Sequence, residues 1–194
     1  MAISTFDKII ADAQRAGKKP GPESADWFRA MARKTRSSPE QLIRGSDKNR
    51  VTATPKIGRM YAFHYDPKHK KKLPYYDTFP LIFPFDKADG GFIGINFHYL
   101  PYPYRARLMD ALYGLTSNNK VDETTKLRLS YSILNSASRF SSFKPAVKRY
   151  LTSHVRSQFI EIFSYEWDMA IMLPIARFEK ANQSKIWRDS KNAI

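Results

Sequence analysis

The four histidines, His64, His69, His98 and His154, are the residues whose type could most readily do chemistry. His64 and His98 fall on neighbouring expected strands, and Asp66 is the nearest third ligand, so a metal pair is the sharpest reading they allow. Two imidazoles and one carboxylate make a thin ligand set, and ordinary strand histidines, polar-facing or hydrogen-bonded, explain the pattern better. A metal-dependent nuclease would need carboxylates gathered around a divalent cation beside a scissile phosphate. Asp77, Asp86 and Asp89 surround an expected strand and hairpin, but no Asp/Glu-x-Lys follows on a strand, and turn or surface acids account for them. Gly90-Gly91-Phe92-Ile93-Gly94 lacks Walker and dinucleotide spacing and reads as a turn. There is no Gly-x-Ser-x-Gly elbow and no His-Glu-x-x-His. Cysteine is absent, which removes disulfides, thiolate zinc sites, iron–sulfur clusters and thiol nucleophiles, and fits a reducing compartment. The expectation is therefore no catalytic residue, no metal, no cofactor and no small-molecule substrate.

Charge is the stronger signal. The 194 residues carry 33 Lys and Arg against 18 Asp and Glu, a net charge of +15. The excess is even: residues 1–50, 51–135 and 136–194 each contribute +5. A single basic tail would suggest an appended address, whereas a chain basic throughout suggests a polyanion, most often nucleic acid. An acidic protein or assembly is the second expectation, and solubility alone the third. Local clusters occur at Lys18-Lys19, Arg33–Arg36, Lys68–Lys72, Arg105/Arg107, and Lys144 with Lys148-Arg149. Phosphate contacts are expected from Lys70, Lys71, Lys72, Lys144, Lys148 and Arg149, with Arg105 and Arg107 behind them. No zinc finger, basic zipper or clear helix-turn-helix accompanies them, so charge would hold phosphates without reading sequence. The aromatics could stack on bases, but alternating aromatics on short strands more often fill a core.

Three regions must position these groups. Residues 1–52 read as an N-terminal helical arm and linker. Phe6, Ile9, Ile10 and Ala13 share a helix face stopped by Gly17, Ser24 caps a helix carrying Trp27, Phe28 and Met31, and Ser38-Pro39-Glu40 opens a third. Arg44–Thr54 is polar and reads as linker. Residues 53–178 form the expected α+β core. Thirteen of the forty-eight residues in 57–104 are aromatic, and six of the chain's twelve prolines lie there, the composition of short strands and turns. Met60–Tyr65, Thr78–Phe85 and Phe92–Leu100 are expected strands, with Asp89-Gly90-Gly91 as a hairpin turn and Lys68–Lys72 in the first loop. Pro80 and Pro84 should put the second strand at an edge or a bulge. This gives a small antiparallel aromatic-rich sheet; an SH3-like barrel is one way it could close, and the sequence leaves closure open. Next come helices: one from Pro101/Pro103 with Arg105 and Asp110 facing away from its apolar side, one over Thr125–Ala137 (with a strand as the alternative), and one over Phe143–Phe159 with Val147, Leu151 and Val155 in a stripe. Phe159–Phe163 alternates as a strand, and Ser164 caps a helix through Trp167–Leu173. Residues 179–194 read as a C-terminal arm.

The start, MAISTFDKIIADAQRAGKK, has acids and no apolar run, so a signal peptide is not expected, and no run approaches the roughly 20 residues of a membrane span. These features describe a soluble intracellular or virion-type protein with no membrane partner.

The run GRMYAFHYDPKHKKKLPYYDTFPLIFPFDKADGGFIGINFHYLP, residues 58–101, resembles the core block of the DNA end protector proteins of T-even-like, contractile-tailed bacteriophages. FKPAVKRYLTSHVRSQF at 143–159, Trp167 with Met172-Leu173-Pro174, and Trp187-Arg188-Asp189-Ser190 also fit, so the resemblance spans about two thirds of the chain. It implies a head-completion protein of the virion. Such a protein binds the ends of packaged linear double-stranded DNA and shields them from host exonuclease, in the head or neck of the particle and in the host cytoplasm during assembly and after injection. Phage head, neck or portal proteins would be its protein partners. The resemblance carries over no catalytic residue and no DNA-contacting residue. A structural role in the neck or baseplate, with an acidic protein ring as main partner, is the alternative.

Overall fold

The computed structural model describes residues 4–44, 48–116, 132–137 and 139–192. Three helices open the chain: α1 (Thr5–Arg15), α2 (Ala25–Lys34) and α3 (Pro39–Arg44). Ser4 and Asp7 form a reciprocal capping box at α1, and Gly17 takes the left-handed conformation (φ 65°) just past its end. At α3 the Ser38 Oγ accepts from the Gln41 N–H while Gln41 Oε1 accepts from the Ser38 N–H. Ser24 makes no side-chain cap; a 3₁₀ turn over Pro22–Ser24 leads into α2 instead. These helices bury Phe6, Ile9, Ala13, Phe28, Ala32 and Leu42 in the same core as the sheet.

The sheet follows. Its strands are β1 (Val51–Thr52), β2 (Met60–Ala62), β4 (Leu81–Ala88), β5 (Gly91–Asn96), β6 (Val147–Leu151) and β7 (Phe159–Ile162), while β3 (Tyr76–Asp77) pairs separately with β8 (Phe178–Glu179). The six strands are antiparallel in the order β1-β7-β2-β4-β5-β6. The Gly90 turn (φ 69°) joins β4 to β5 as the Asp-Gly-Gly signal requires. Gly94 is demanded by close approach, since a Cβ there would lie 2.9 Å from the Phe83 carbonyl oxygen. β4 lies inside the sheet, not at its edge. Pro80 stands just before β4, a bulge between Pro84 and Asp86 absorbs the second proline, and the Pro84 carbonyl accepts from the Gly58 N–H.

One sheet face carries Met60, Ala62, Leu81, Phe83, Ile95, Ile160 and Ile162 against the helices. The other carries a second, mostly aromatic cluster around Tyr61, Phe63, Phe92, Tyr150 and Phe159. The sheet curls over this cluster: the rings of Phe92 on β5 and Phe159 on β7 are 5.9 Å apart although β2 and β4 lie between them. The chain leaving β6 reaches back to the end of β2, where Arg156 N–H donates to His64 O and a bridge joins Tyr65 to Val155. The ladder itself stays open, with β1 and β6 as edges, so the sheet does not close into an SH3-like barrel.

The expected helix over Phe143–Phe159 is overturned: a 3₁₀ turn, strand β6 and another 3₁₀ turn occupy it. The stripe of Val147, Leu151 and Val155 at every fourth residue fits a strand phase equally, and the unpaired side of β5 decided between them. Helix α4 (Tyr102–Thr116) forms where Pro101 and Pro103 predict it, burying Leu108, Met109 and Leu112. Asp110 is exposed as expected, but Arg105 is fully buried. Residues 132–137 form a helix, α5; the rest of the Thr125–Ala137 expectation lies outside the described residues. Helix α6 (Trp167–Ala170) is a single turn, and α7 (Gln183–Asn192) docks by burying Ile186 while Trp187 Nε1–H donates to His98 O. No described helix is long and apolar enough to cross a membrane.

The polar segment before β1 is tied down. Arg50 meets the fully buried Glu166 in a two-point contact of 2.5 and 2.7 Å, with its guanidinium 4.3 Å from the centroid of the Phe163 ring. Burial pushes the Glu166 carboxyl up despite that partner. Arg50→Met should cost about 3–5 kcal/mol by stranding the carboxylate, and Arg50→Met/Glu166→Met much less. Urea unfolding of the three proteins checks this.

Candidate nucleic-acid interface

A cleft of about 520 Å³ opens between the 67–73 loop and the outer edge of β6. Tyr65, Tyr75, Tyr76, Tyr99 and Tyr150 line it, and Lys68, Lys148 and Arg149 bring charge to it. Each wall has a local cause. The loop is wound as a tight turn in which the Lys72 and Leu73 N–H groups both donate to His69 O. Lys180, in the left-handed conformation (φ 68°), sends its ammonium into the turn's open carbonyls: Lys70 O at 2.5 Å, Leu73 O at 2.9 Å and Lys71 O at 3.2 Å. That clamp fixes the loop backbone while the side chains of Lys71 and Lys72 stay exposed. Lys70 reaches back to Asp66 at 2.7 Å, which pulls the Asp66 carboxyl down and the Lys70 ammonium up.

The floor rests on one buried carboxylate. Asp77 accepts from His98 Nδ1 (2.6 Å), Asn96 Nδ2 (3.1 Å), Phe79 N–H (3.0 Å) and Arg177 N–H (3.3 Å). Asn96 Nδ2 also donates to the Tyr150 hydroxyl, so β3, β5 and β6 share the network. Burial pushes the Tyr99, Tyr150 and Tyr65 phenols up, keeping them neutral. His98 is fully buried and desolvation lowers its pKa, so it stands as a neutral ring with Nδ1–H on Asp77 and Nε2 without a hydrogen-bond partner. It does not approach His64 as a metal pair: His64 packs on the Phe79 ring at 4.9 Å, and among the described residues no cluster of metal-ligating side chains occurs.

Lys148 is the unusual cation. Its ammonium sits 4.1 Å from the centroid of the Tyr99 ring, half-buried, with no carboxylate partner among the described residues, and burial pulls its pKa down to about 8. Arg149 is exposed and donates to Asp89 O at the hairpin. Lys144 is exposed on the turn just before β6. The structure thus puts Lys148 and Arg149 in the lining of the cleft, while Lys70, Lys71 and Lys72 sit on the turn beside it, which lends Lys68 to the lining. Arg107 lies apart, beside Tyr104 on a separate apolar depression of about 350 Å³. Arg105 presents no surface: it is wholly buried and donates to Leu100 O, Ile171 O and His98 O, with its pKa lowered to about 10 by burial.

The sequence model of the phage T4 terminal DNA protecting protein matches residues 8–190. The chain belongs to this family. No curated protein and no solved structure matches it. Family membership makes this a phage DNA end protecting protein, and the match takes in the N-terminal helices as well as the sheet.

Within this family member, the tyrosine lining and the Lys180 clamp are what residue-by-residue reading missed. The adjacent Tyr75-Tyr76 after a lysine run was the available signal for the lining; for Lys180 nothing local exists, because its partners lie 107–110 residues away. Lys180→Met should release the loop and speed tryptic cleavage at Lys70–Lys72 several-fold at unchanged global stability, a comparison that limited digestion makes directly. For His98 the sign is set by its lowered pKa. The unfolded chain takes the proton near the ordinary value of 6.5 and the fold does not, so stability present above that pH is lost as pH falls through it. Thermal unfolding should show the midpoint dropping between pH 7.5 and 5, and a smaller drop in His98→Asn.

Proposed function

We propose that this protein binds the ends of linear double-stranded DNA without regard to sequence and shields them from exonuclease, performing no covalent chemistry. The observation that carries the reading is the convergence of the lysine turn and the β6 cations on one cleft in a chain of net charge +15. Cations held on a rigid frame neutralise phosphates and release counterions, which gives affinity without base readout. Lys71, Lys72, Lys144 and Arg149 are the proposed phosphate contacts along the rim, with Lys70 shared between DNA and Asp66. Arg107 is a peripheral contact at most, and Arg105 serves the core. The phage family supports a virion or infection-related setting, and we place the protein in the head or neck, with head or portal proteins as its neighbours.

An exonuclease protection assay tests this. Linear duplex should survive an end-dependent nuclease in the presence of the protein, while a closed circle of equal mass gains no shielding from an endonuclease. The triple variant Lys71→Ala/Lys72→Ala/Lys144→Ala should lose protection at moderate salt. Its slope of log affinity against log salt should be shallower by about 0.9 for each contact removed. An unchanged slope, or equal shielding of circle and linear DNA, would sink the proposal.

A further inference from the structure

We infer that the tyrosine cleft takes the unpaired terminal nucleotide of one DNA strand, its phosphate at the Lys148 ammonium and its base against Tyr75 and Tyr76. The inference rests on the end-binding reading above and says which part of the end is gripped. Size is the first argument. A volume of about 520 Å³ falls within the range of sites that enclose small molecules, so it admits a nucleotide and excludes a duplex. The duplex must stay outside, along the exposed lysines of the loop.

Charge is the second argument. A half-buried ammonium with an aromatic ring on one side and no carboxylate partner among the described residues is a cation awaiting an anion. The acids nearby are already committed. Asp77, beneath the tyrosines, is saturated by four donors, and Asp66 holds Lys70 and faces Arg156 at 3.8 Å. Lys68 and Arg149 add positive charge to the lining. A terminal phosphate therefore meets three cations, and the one carboxylate of the lining, Asp77, is already held by four donors.

The third argument is the aromatic lining. Tyr65 and Tyr150 are fixed by their hydroxyls, Tyr65 accepting from the Leu151 N–H and Tyr150 from Asn96, so they shape the pocket. Tyr75 and Tyr76 are only half-buried and leave ring surface open. Base–aromatic stacking tolerates every base, which suits a site that must accept any sequence. Unpairing is cheapest at the last base pair, where only one neighbour stacks. An interior stretch of duplex or a closed circle cannot offer such a nucleotide, so the cleft supplies a physical reason for preferring ends.

The test compares duplexes bearing three unpaired nucleotides at the 3′ or the 5′ strand with a blunt duplex whose terminal pair is cross-linked so that it cannot open. At least one overhang should bind about 10-fold or more tightly than the cross-linked end. A 2-aminopurine at its terminal position should change fluorescence on binding. Lys148→Met and Tyr76→Leu should each remove most of the difference, and Tyr76→Leu, which takes away no charge, should leave affinity for the cross-linked end within about twofold. Equal binding of open and cross-linked ends, or variants that keep the full difference, would overturn the inference. In that case a retained preference of the cross-linked duplex over a closed circle would leave the end-binding reading standing, and its loss would end both.

Discussion

A single buried guanidinium governs how the helices meet the sheet. Arg105 donates to carbonyls of Leu100, Ile171 and His98, which belong to the turn after β5 and to the end of α6. No carboxylate shares the site among its hydrogen bonds; the charge is carried by peptide dipoles and by the Tyr102 and Trp187 rings, 4.8 and 5.5 Å away. One planar fork satisfies the Leu100 and Ile171 oxygens at a helix–sheet seam and shares the His98 oxygen with Trp187 Nε1–H, which a lysine could not reproduce. His98 is itself one of the acceptors, and Tyr99 lies between it and Leu100. The orientation of His98 on Asp77, and of Tyr99 under Lys148, therefore inherits the precision of this contact.

Two faces of one sheet divide the labour. The aliphatic face is ordinary core and holds helices. The aromatic face curls on itself, with ring pairs such as Phe63–Phe159 at 4.7 Å and Phe92–Tyr150 at 5.4 Å. Large flat side chains fill a strongly curved surface with few atoms to spare. Where the curl runs out, at Tyr65 and Tyr150, the same aromatic layer emerges as lining of the cleft, and Tyr99 joins it from the helix-side core. The proposed binding surface is thus the exposed margin of a packed core.

Much of this was legible in the residues. Local signals worked where local chemistry decides: the Gly17 stop, the Ser38 cap, the Asp89-Gly90-Gly91 turn and the strand alternation at Phe159–Ile162 all correspond to elements seen. They failed where a distant partner decides. Arg50 sits in a polar stretch that reads as linker until Glu166 is brought beside it. Arg105 sits on the polar side of a helix until the carbonyl of Ile171 meets it. Lys148-Arg149 suggests a solvated helix face until β5 offers an edge. The resemblance of residues 58–101 to a phage family was specific because its motif is long, but it said nothing of which lysine would be half-buried.

The position of β7 has a consequence for how the molecule comes into being. Residues 159–162 insert between β1 and β2, two segments that lie close together early in the chain. The ladder between β1 and β2 is therefore completed by a segment about a hundred residues further along the chain. Until that piece arrives, the ribosome-bound chain carries unpaired strand edges and a lysine turn whose clamp has not been made. Pairing of these strands requires long loop closures, which slow folding relative to folds built from local contacts. The lysine turn beside the cleft is likewise fixed only once Lys180, more than a hundred residues further along the chain, has reached it.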